Sequence, residues 1–416
     1  MKKLVSFFII VVYSACLNSS EIDILLDKLV EKGVISGYEA SEVKYEGSEQ
    51  TVFEITNRLH KTLPLWLQSI SLGGDIRIRH EEIDNDDVSY IRSRERIRAR
   101  AYLNAKASDK VYANIGFATG EDDNPKSTNQ TFTKNFSKKG VYLDYAYFEY
   151  YPFSFLTFLA GKMKNPLWMT NDMIFDGDIN PEGYFLKAEK AFNSNFSLFL
   201  GAGRFNLNEI KDNSNDPYLL FSQTYLKLRD EENFKKLKFA FSFYDFKDVK
   251  NSKLLDYATK TNSTPLPSTT TYKYDYDVIS LDLLLESNIQ NNIKIPFTPL
   301  SINYIAINAN YVKNILIKKD NEGYIIGVKI GNEKITNSGE FQIGYNYREL
   351  KKDAWVDCYP DSDFYGGKTQ VYGSKYTFIY GLGENFNLTS SYFLTRSFKT
   401  SDKKEEVFQV DLNVKF

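Results

Sequence analysis

A regular alternation of apolar and polar residues is the feature that most constrains what this chain can fold into. It is clearest in the last nine residues, where apolar side chains occupy every second position. A strand with a period of two has one apolar face and one polar face. Because the pattern recurs in many segments from residue 69 onwards, the sequence predicts a large sheet with two different faces. In the last segment the apolar residues are Phe408, Val410, Leu412, Val414 and Phe416.

Composition narrows the class of protein further. Of the 416 residues, 15% are aromatic and 25% are charged, and the formal net charge is only -2. This near-zero balance argues against a nucleic-acid-binding protein, which would need a basic surface. The sequence has no apolar run of about 18 residues, which a membrane-spanning helix would require. A β-barrel stays compatible with these values, because its lipid-facing residues are spread over alternating positions.

The lengths of the predicted connections favour a closed barrel over a sandwich. Short and long connections alternate along nearly the whole chain, as in barrels with small periplasmic turns and large external loops. Closure also pairs every strand edge, which a lipid environment requires. We therefore predict an all-β transmembrane antiparallel β-barrel of about sixteen strands, within a range of about 14–18. The predicted strands span residues 70–80, 88–104, 109–119, 140–151, 155–163, 184–191, 195–205, 217–228, 236–246, 272–286, 300–312, 322–332, 338–349, 368–381, 385–397 and 403–416.

The first twenty residues are typical of an export signal. Lys2 and Lys3 precede an apolar stretch over residues 4–13 that is too short to span a bilayer, and small residues follow it. We predict a signal peptide over residues 1–20, with cleavage after Ser20. The alternative is a lipoprotein signal, in which Cys16 would carry the lipid, although Tyr13 fits that pattern poorly.

The segment that follows the signal reads as helical. Ile22, Leu25, Leu26 and Leu29 have helical spacing, and two further short helical patterns follow before Pro64. We predict a short α-helical periplasmic segment over residues 21–68 and the barrel over residues 69–416. The helical segment could plug the pore, tether the barrel or mediate oligomerisation, or it could only pack on the barrel rim.

Six segments of the sequence carry a resemblance to a known family. They are residues 21–35, 92–100, 118–120 with 129–131, 143–147, 161–166 and 176–183. These segments resemble the putative porin family of Gram-negative outer membranes. The resemblance implies an outer-membrane diffusion channel, often oligomeric, so that a homo-oligomer such as a trimer is expected. The C-terminal Phe416, on an alternating strand, is similar to the signal by which outer-membrane barrels engage the barrel assembly machinery.

Arginines recur at alternate positions of the first two predicted strands. Such a set shares one face of each strand. On the lipid side each would cost roughly 2–4 kcal/mol, so we expect them to face water. The sequence thus predicts a basic ladder on the channel wall that attracts anions and orients zwitterions. The alternative is that they only pair with lumenal carboxylates such as Asp144 and Asp282. The ladder comprises Arg77, Arg79, Arg92, Arg94, Arg96, Arg98 and Arg100.

The third long loop, residues 164–183, is acidic. In trimeric diffusion porins, which this arrangement resembles, the corresponding loop folds inward and narrows the pore. Acidic groups opposite a basic wall would create a transverse field that favours small polar solutes. The alternative is a solvated external loop. We expect no metal and no cofactor. The proposed constriction residues are Asp172, Asp176, Asp178 and Glu182.

An enzyme is disfavoured by the small number of candidate bases. The only histidines are His60 and His80, and neither has a recognisable serine partner. The predicted function is therefore passive diffusion of small polar solutes and ions through an outer-membrane porin. The alternatives are a surface adhesin or structural barrel, whose polar loops bind other molecules, and a substrate-specific uptake channel.

Overall fold

The computed structural model describes two parts of the chain. The chain divides into compact units at Met1–Ser69 and Ile70–Phe416. In the first unit Leu26, Ala40, Ser69 and residues 28–32 and 34–36 are described. The predicted signal peptide and the predicted helices beyond Ala40 lie outside the described residues. The second unit is described except for residues 122–123, 134, 212–214, 231–234, 254–258, 267–268, 270, 297, 299 and 399–402.

The described part of the first unit contains a short helix where the sequence predicts one. Leu26 and residues 28–31 have helical backbone, and the amide of Val34 donates to the carbonyl of Leu29 at 3.0 Å. Leu26 and Ala40 are buried against each other with Val30 and Ile35 beside them. Among the described residues, no helix is both long and apolar enough to cross a membrane.

The second unit is built from sixteen long strands joined edge to edge. A two-residue segment, Gln130–Thr131, is added beside the second strand. The long strands are β1 Ile70–Asn85, β2 Arg92–Ser108, β3 Val111–Thr119, β4 Val141–Phe153, β5 Leu156–Lys162, β6 Glu182–Ala191, β7 Phe196–Asn206, β8 Tyr218–Asp230, β9 Lys235–Lys247, β10 Tyr276–Lys294, β11 Ser301–Asn314, β12 Glu322–Gly331, β13 Phe341–Leu350, β14 Val371–Gly383, β15 Phe386–Ser397 and β16 Lys404–Lys415.

The sheet closes on itself through its first and last strands. β1 pairs with β16 in antiparallel register from Asp75 opposite Lys415 to Asn85 opposite Glu405. Every other neighbouring pair of long strands is also antiparallel and consecutive in the chain. The predicted closed antiparallel barrel of sixteen strands is therefore confirmed. Closure removes the free edges that would leave backbone groups unpaired in lipid.

Two predicted strand ends were wrong. The first strand was predicted to end at residue 80 and continues to Asn85, and the end of the tenth strand differs by more. The sequence suggests that the tenth strand ends at residue 286, because polar residues follow it. In the structure β10 continues to Lys294 through a register shift between Asn288 and Ile293. Polar residues are compatible with a strand here, because the pairing of neighbouring strands is made by backbone hydrogen bonds.

The two faces of the sheet differ as the alternation predicts. Apolar side chains such as Ile76, Phe241 and Leu412 are exposed on the outer face. Their neighbours in sequence point inward, where they are polar or buried against loops. Exposed apolar residues in a continuous band are typical of a surface that contacts lipid.

Two long loops occupy part of the barrel interior. The first, residues 163–181, joins β5 to β6, and the second, residues 351–370, joins β13 to β14. Both contribute to one buried apolar cluster with residues of β5 to β13 and of the loop 248–275, so one side of the interior is filled by protein. Its members include Met163, Met173, Ile174 and Phe175 of the first loop, Trp355, Val356, Cys358 and Tyr359 of the second, and Phe185, Phe205, Phe221, Tyr244 and Phe246 of the wall.

Candidate functional site

The register of β1 and β2 brings the predicted arginines together. Arg77 lies opposite Arg98, and Arg79 lies opposite Arg96. Their side chains point inward, since Arg79 and Arg96 are only 4% and 9% exposed, whereas the alternate residue Ile76 is 42% exposed. The period of two thus places the arginines on one continuous inner surface.

Carboxylates lie between these arginines on the same surface. Asp75 of β1 contacts both Arg98 and Arg100 at 2.7 Å. Glu81, also of β1, accepts from Arg94 and lies 3.6 Å from Arg96. Such charge-assisted pairs fix the orientation of guanidinium groups.

The neighbouring strand β16 supplies a third carboxylate. Asp411 receives two hydrogen bonds from Arg79, at 2.7 and 2.9 Å, and lies 3.8 Å from Arg77. The sequence suggested Asp144 and Asp282 as partners, but Asp282 accepts instead from Thr170. Because Asp282 belongs to β10, it lies on another part of the wall from β1 and β2.

The loop 163–181 turns inward from a pair of glycines at its base. Gly161 of β5 and Gly183 of β6 lie opposite each other and both have positive φ, at 127° and 154°. A Cβ at Gly161 would collide with the carbonyl oxygen of Ala146, and one at Gly183 with that of Arg204. Glycine is therefore required at both positions, where the chain bends away from the wall.

Hydrogen bonds attach this loop to distant parts of the wall. The amide of Trp168 donates to Gln223 of β8 at 2.9 Å, and Thr170 donates to Asp282 of β10. Towards its end, Asp178 lies 3.5 Å from Arg100 of β2. A segment that contacts β8, β10 and β2 in turn must cross the barrel interior.

The structure separates the four acidic residues predicted for the constriction. Asp172 lies 3.4 Å from Arg348 and 3.7 Å from Lys375, on a part of the wall formed by β13 and β14. Asp178 accepts from the amide and hydroxyl of Thr128 and contacts the arginine surface itself. The two carboxylates therefore meet basic groups on different sides of the interior.

The remaining two predicted acids have other environments. Asp176 accepts a 2.7 Å hydrogen bond from the amide of Ser362, which ties the first inward loop to the second. Glu182 was wrongly assigned to the loop. It is the first residue of β6 and pairs with Lys162 of β5 at 3.1 Å, because strand pairing begins earlier than the loop composition suggests.

The second inward loop, 351–370, is a functional element that the sequence reasoning missed. Asp363 contacts Arg79 at 2.9 Å, and Asp361 lies 3.4 Å from Arg348. The loop carries Trp355 and Cys358, both fully buried. The available signal in the sequence was the presence of apolar residues in a long predicted loop, because a loop exposed to water is usually polar.

The inward loops place several carboxyl groups in a confined space with basic partners. Burial and the neighbouring Asp172 raise the pKa of Asp361 to about 7. Burial, Asp361 and Asp178 raise the pKa of Asp176 well above its ordinary value. Although burial opposes it, the nearby Arg79 lowers the pKa of Asp363. Two loop carboxyls are thus shifted towards the neutral form and one is held as the anion.

The tyrosines of β4 are divided between both faces of the wall. Tyr145 is buried at 4% exposure, with the Lys164 ammonium 4.7 Å from its ring centroid. Tyr150, by contrast, is 40% exposed on the outer surface. Strand alternation therefore prevents these tyrosines from forming a single belt.

Comparison with known proteins identifies the family. The family model described as "Putative porin" matches residues 84–277 and 271–416. A search of curated proteins gives no match. Among solved structures, OprB of Pseudomonas putida at high pH has a TM-score of 0.52 and 10% identity, covering 84% of this chain and 94% of that one.

Two other solved structures show weaker likenesses. A loop-deletion mutant of OmpT from Vibrio cholerae has a TM-score of 0.47 and 13% identity, covering 84% of this chain and 99% of that one. A double mutant of the Rh. blastica porin has a TM-score of 0.45 and 10% identity, covering 83% and 100%. The family match spans most of the sequence and agrees with the sixteen-strand barrel. The chain therefore belongs to the putative porin family, and it is an outer-membrane porin channel.

Proposed function

We propose that the barrel carries small polar solutes and ions by passive diffusion along its arginine surface. The observation that carries this proposal is the division of the interior into two unlike sides. The side formed by β5 to β13 is packed with apolar loop residues. The side formed by β1, β2 and β16 presents charged groups such as Arg100, whose side chain is 34% exposed. A water-filled path beside charged groups favours polar solutes over apolar ones.

The charges of this path support a preference for anions. The seven arginines of the ladder meet five contacting carboxylates, which leaves two positive charges. In this proposal the arginines pair with carboxylates and also leave an excess of positive charge along the path. A small net charge in a narrow pore is enough to bias ion passage.

The loop 163–181 acts in this proposal as one border of the narrowest part of the path. Asp178 contacts Arg100 directly, so the two charges partly neutralise each other and the electric field across the path is weak at that point. Asp172, with a side chain 38% exposed, faces Arg348 and Lys375 instead. The solute would therefore meet two charged pairs rather than one acidic loop opposite one basic wall.

The surroundings of the channel are also part of the proposal. The helical segment 21–68 lies in the periplasm, the barrel forms a homo-oligomer such as a trimer, and no chemical reaction is catalysed. The exposed ring of Phe416, 67% accessible, supports recognition of the C-terminal strand by the assembly machinery. Its backbone already pairs with Gly74 of β1, which leaves the side chain available.

Reconstitution of the purified protein into planar bilayers tests the channel directly. We expect stable conductance steps in potassium chloride, with a reversal potential that shows a modest anion preference. Steps that appear only with a specific organic solute, or an absence of steps, would contradict passive diffusion. A barrel that acts only as an adhesin would give no steps.

The raised pKa of Asp361 predicts that docking of the inward loops depends on pH. Asp361 binds its proton more tightly when the loops are docked, so its own contribution to docking is largest below its ordinary pKa of 3.8 and is lost as the pH rises to about 7. Current noise should therefore increase across this interval. The groups around it are Asp172, Arg348, Lys375 and Asp363.

The matched variant Asp361→Asn keeps the shape of the side chain and cannot ionise. Its current noise should increase less than that of the unmodified protein between about pH 4 and pH 8, and Asp176, whose pKa is also raised, would account for part of the increase that is left. An equal increase of noise in the variant and in the unmodified protein would show that Asp361 is not the responsible group.

A further inference from the structure

A pocket whose charged lining is mostly basic opens beside the first residues of β2. Its volume is about 530 Å³, and it lies between the inward face of β2, the loop 120–140 and the second inward loop. Its basic side chains come from two separate parts of the chain, the ladder and the loop. They are Arg92, Arg94, Arg96, Lys138 and Lys139.

The acidic residues of the pocket do not balance these five basic groups. Among the described residues that line it, only Glu121 and Asp363 are acidic. Asp363 is already bound to Arg79 at 2.9 Å. Glu81, which lies behind the lining, accepts from Arg94. Even with all three carboxylates counted, the pocket has an excess of positive charge.

Arg96 lacks the acceptors that its guanidinium group needs. The residue is only 9% exposed, and its Nε has no hydrogen-bond partner among the described residues. Its Nη2 makes two long hydrogen bonds, at 3.2 Å to Ser127 and 3.3 Å to the carbonyl of Asn129. A buried guanidinium with unused donors favours an additional acceptor.

The loop lysines extend this set of donors across the pocket. Lys139 gives one hydrogen bond to the carbonyl of Thr131 at 2.7 Å, which leaves two of its three ammonium donors. Lys138, Thr133 and Ser137 line the same space. Planar guanidinium groups with ammonium and hydroxyl donors are the combination that binds oxyanions.

We infer that this pocket is a saturable binding site for small oxyanions, phosphate and carboxylate groups, at the long-loop end of the path. The inference rests on the channel function proposed above and adds a substrate class to it. The ladder arginines of the pocket lie on the inward face of β2, so the anion comes from solution and not from a lipid headgroup. Oxyanions would be concentrated at this site and would then pass along β2 to Arg98 and Arg100 of the ladder.

Titration of inorganic phosphate against the chloride current of single channels tests this inference. We expect phosphate to reduce the chloride current along a saturating curve. The double variant Lys138→Gln with Lys139→Gln should raise the half-blocking phosphate concentration about tenfold. Arg92→Gln, at the opposite side of the pocket, should raise it in the same direction.

A matched control separates a local site from general surface charge. Lys318 and Lys319 form an equivalent exposed pair in the long loop between β11 and β12. Lys318→Gln with Lys319→Gln removes the same charge and should leave the phosphate curve unchanged. Equal shifts in both double variants, or a block that does not saturate, would overturn the binding site. Steady chloride conductance in the same experiment would show that the proposed channel function still stands. Loss of all conductance in the unmodified protein would overturn both.

Discussion

Replacement of Arg94, Arg96 and Arg98 by Gln is expected to reverse the charge preference of the channel. The unmodified wall has seven arginines against five contacting carboxylates, and the variant would have four against five. Glu81 would lose two of its three arginine partners, and Asp75 would lose one of its two. We expect the ratio of anion to cation permeability to fall about tenfold and to pass below one.

Reversal potentials in a salt gradient measure this ratio. The control variant carries Lys at the same three positions, which keeps the charge but removes the forked hydrogen bonds of Arg. It should retain the anion preference. If the arginines serve only to hold the wall together, the Lys and Gln variants will shift the potential equally. An unchanged potential in the Gln variant would remove the ladder from the mechanism.

The second large effect is expected from Trp355→Ala. Trp355 is fully buried and packs edge-to-face on Phe175 of the first inward loop, 5.3 Å away, and on Tyr244 and Phe246 of β9, at 4.9 and 5.2 Å. It therefore joins both loops to the wall. Truncation of such a residue costs about 3–5 kcal/mol. Because the strands are held by backbone pairing, the loss should fall on the loops rather than on the barrel.

Undocked loops would leave a wider path through the interior. We expect larger and noisier conductance steps in Trp355→Ala. The barrel itself should stay folded, so the unheated variant should still migrate differently from the heated variant in gel electrophoresis. Trp355→Phe retains an aromatic ring at the joint and should resemble the unmodified protein. Steps of unchanged size and noise in Trp355→Ala would mean that the loops do not limit the current.

The strands could be predicted from sequence because their environment changes at every residue. Apolar lipid on one side and polar groups on the other leave a period of two, visible from Phe408 to Phe416. The pattern also places Arg94, Arg96 and Arg98 on one face without any knowledge of the fold. Closure of the barrel, once predicted, could even have placed Asp411 beside Arg79, since it brings the last strand next to the first.

The inward loops could not be predicted in the same way. A loop has no fixed period, and its contacts join residues that are far apart in the chain. Asp363 meets Arg79 across 284 positions, and Ser362 meets Asp176 across 186. The first loop was expected to fold inward only through a resemblance to other porins. No resemblance suggested the same for the second loop. Its Trp355, which the structure shows to be buried, was nevertheless a usable signal, because tryptophan is unusual in a loop exposed to water.

Cysteine accessibility tests most directly whether the arginine surface lines the water path. In a Cys358→Ser background, Arg98→Cys places a thiol on the inner face of β2, and Ile76→Cys places one on the outer face of β1. A charged, membrane-impermeant thiol reagent should sharply reduce the current through the Arg98→Cys channel and leave the Ile76→Cys channel unchanged. A reduced current in Ile76→Cys, with none in Arg98→Cys, would contradict an arginine-lined channel.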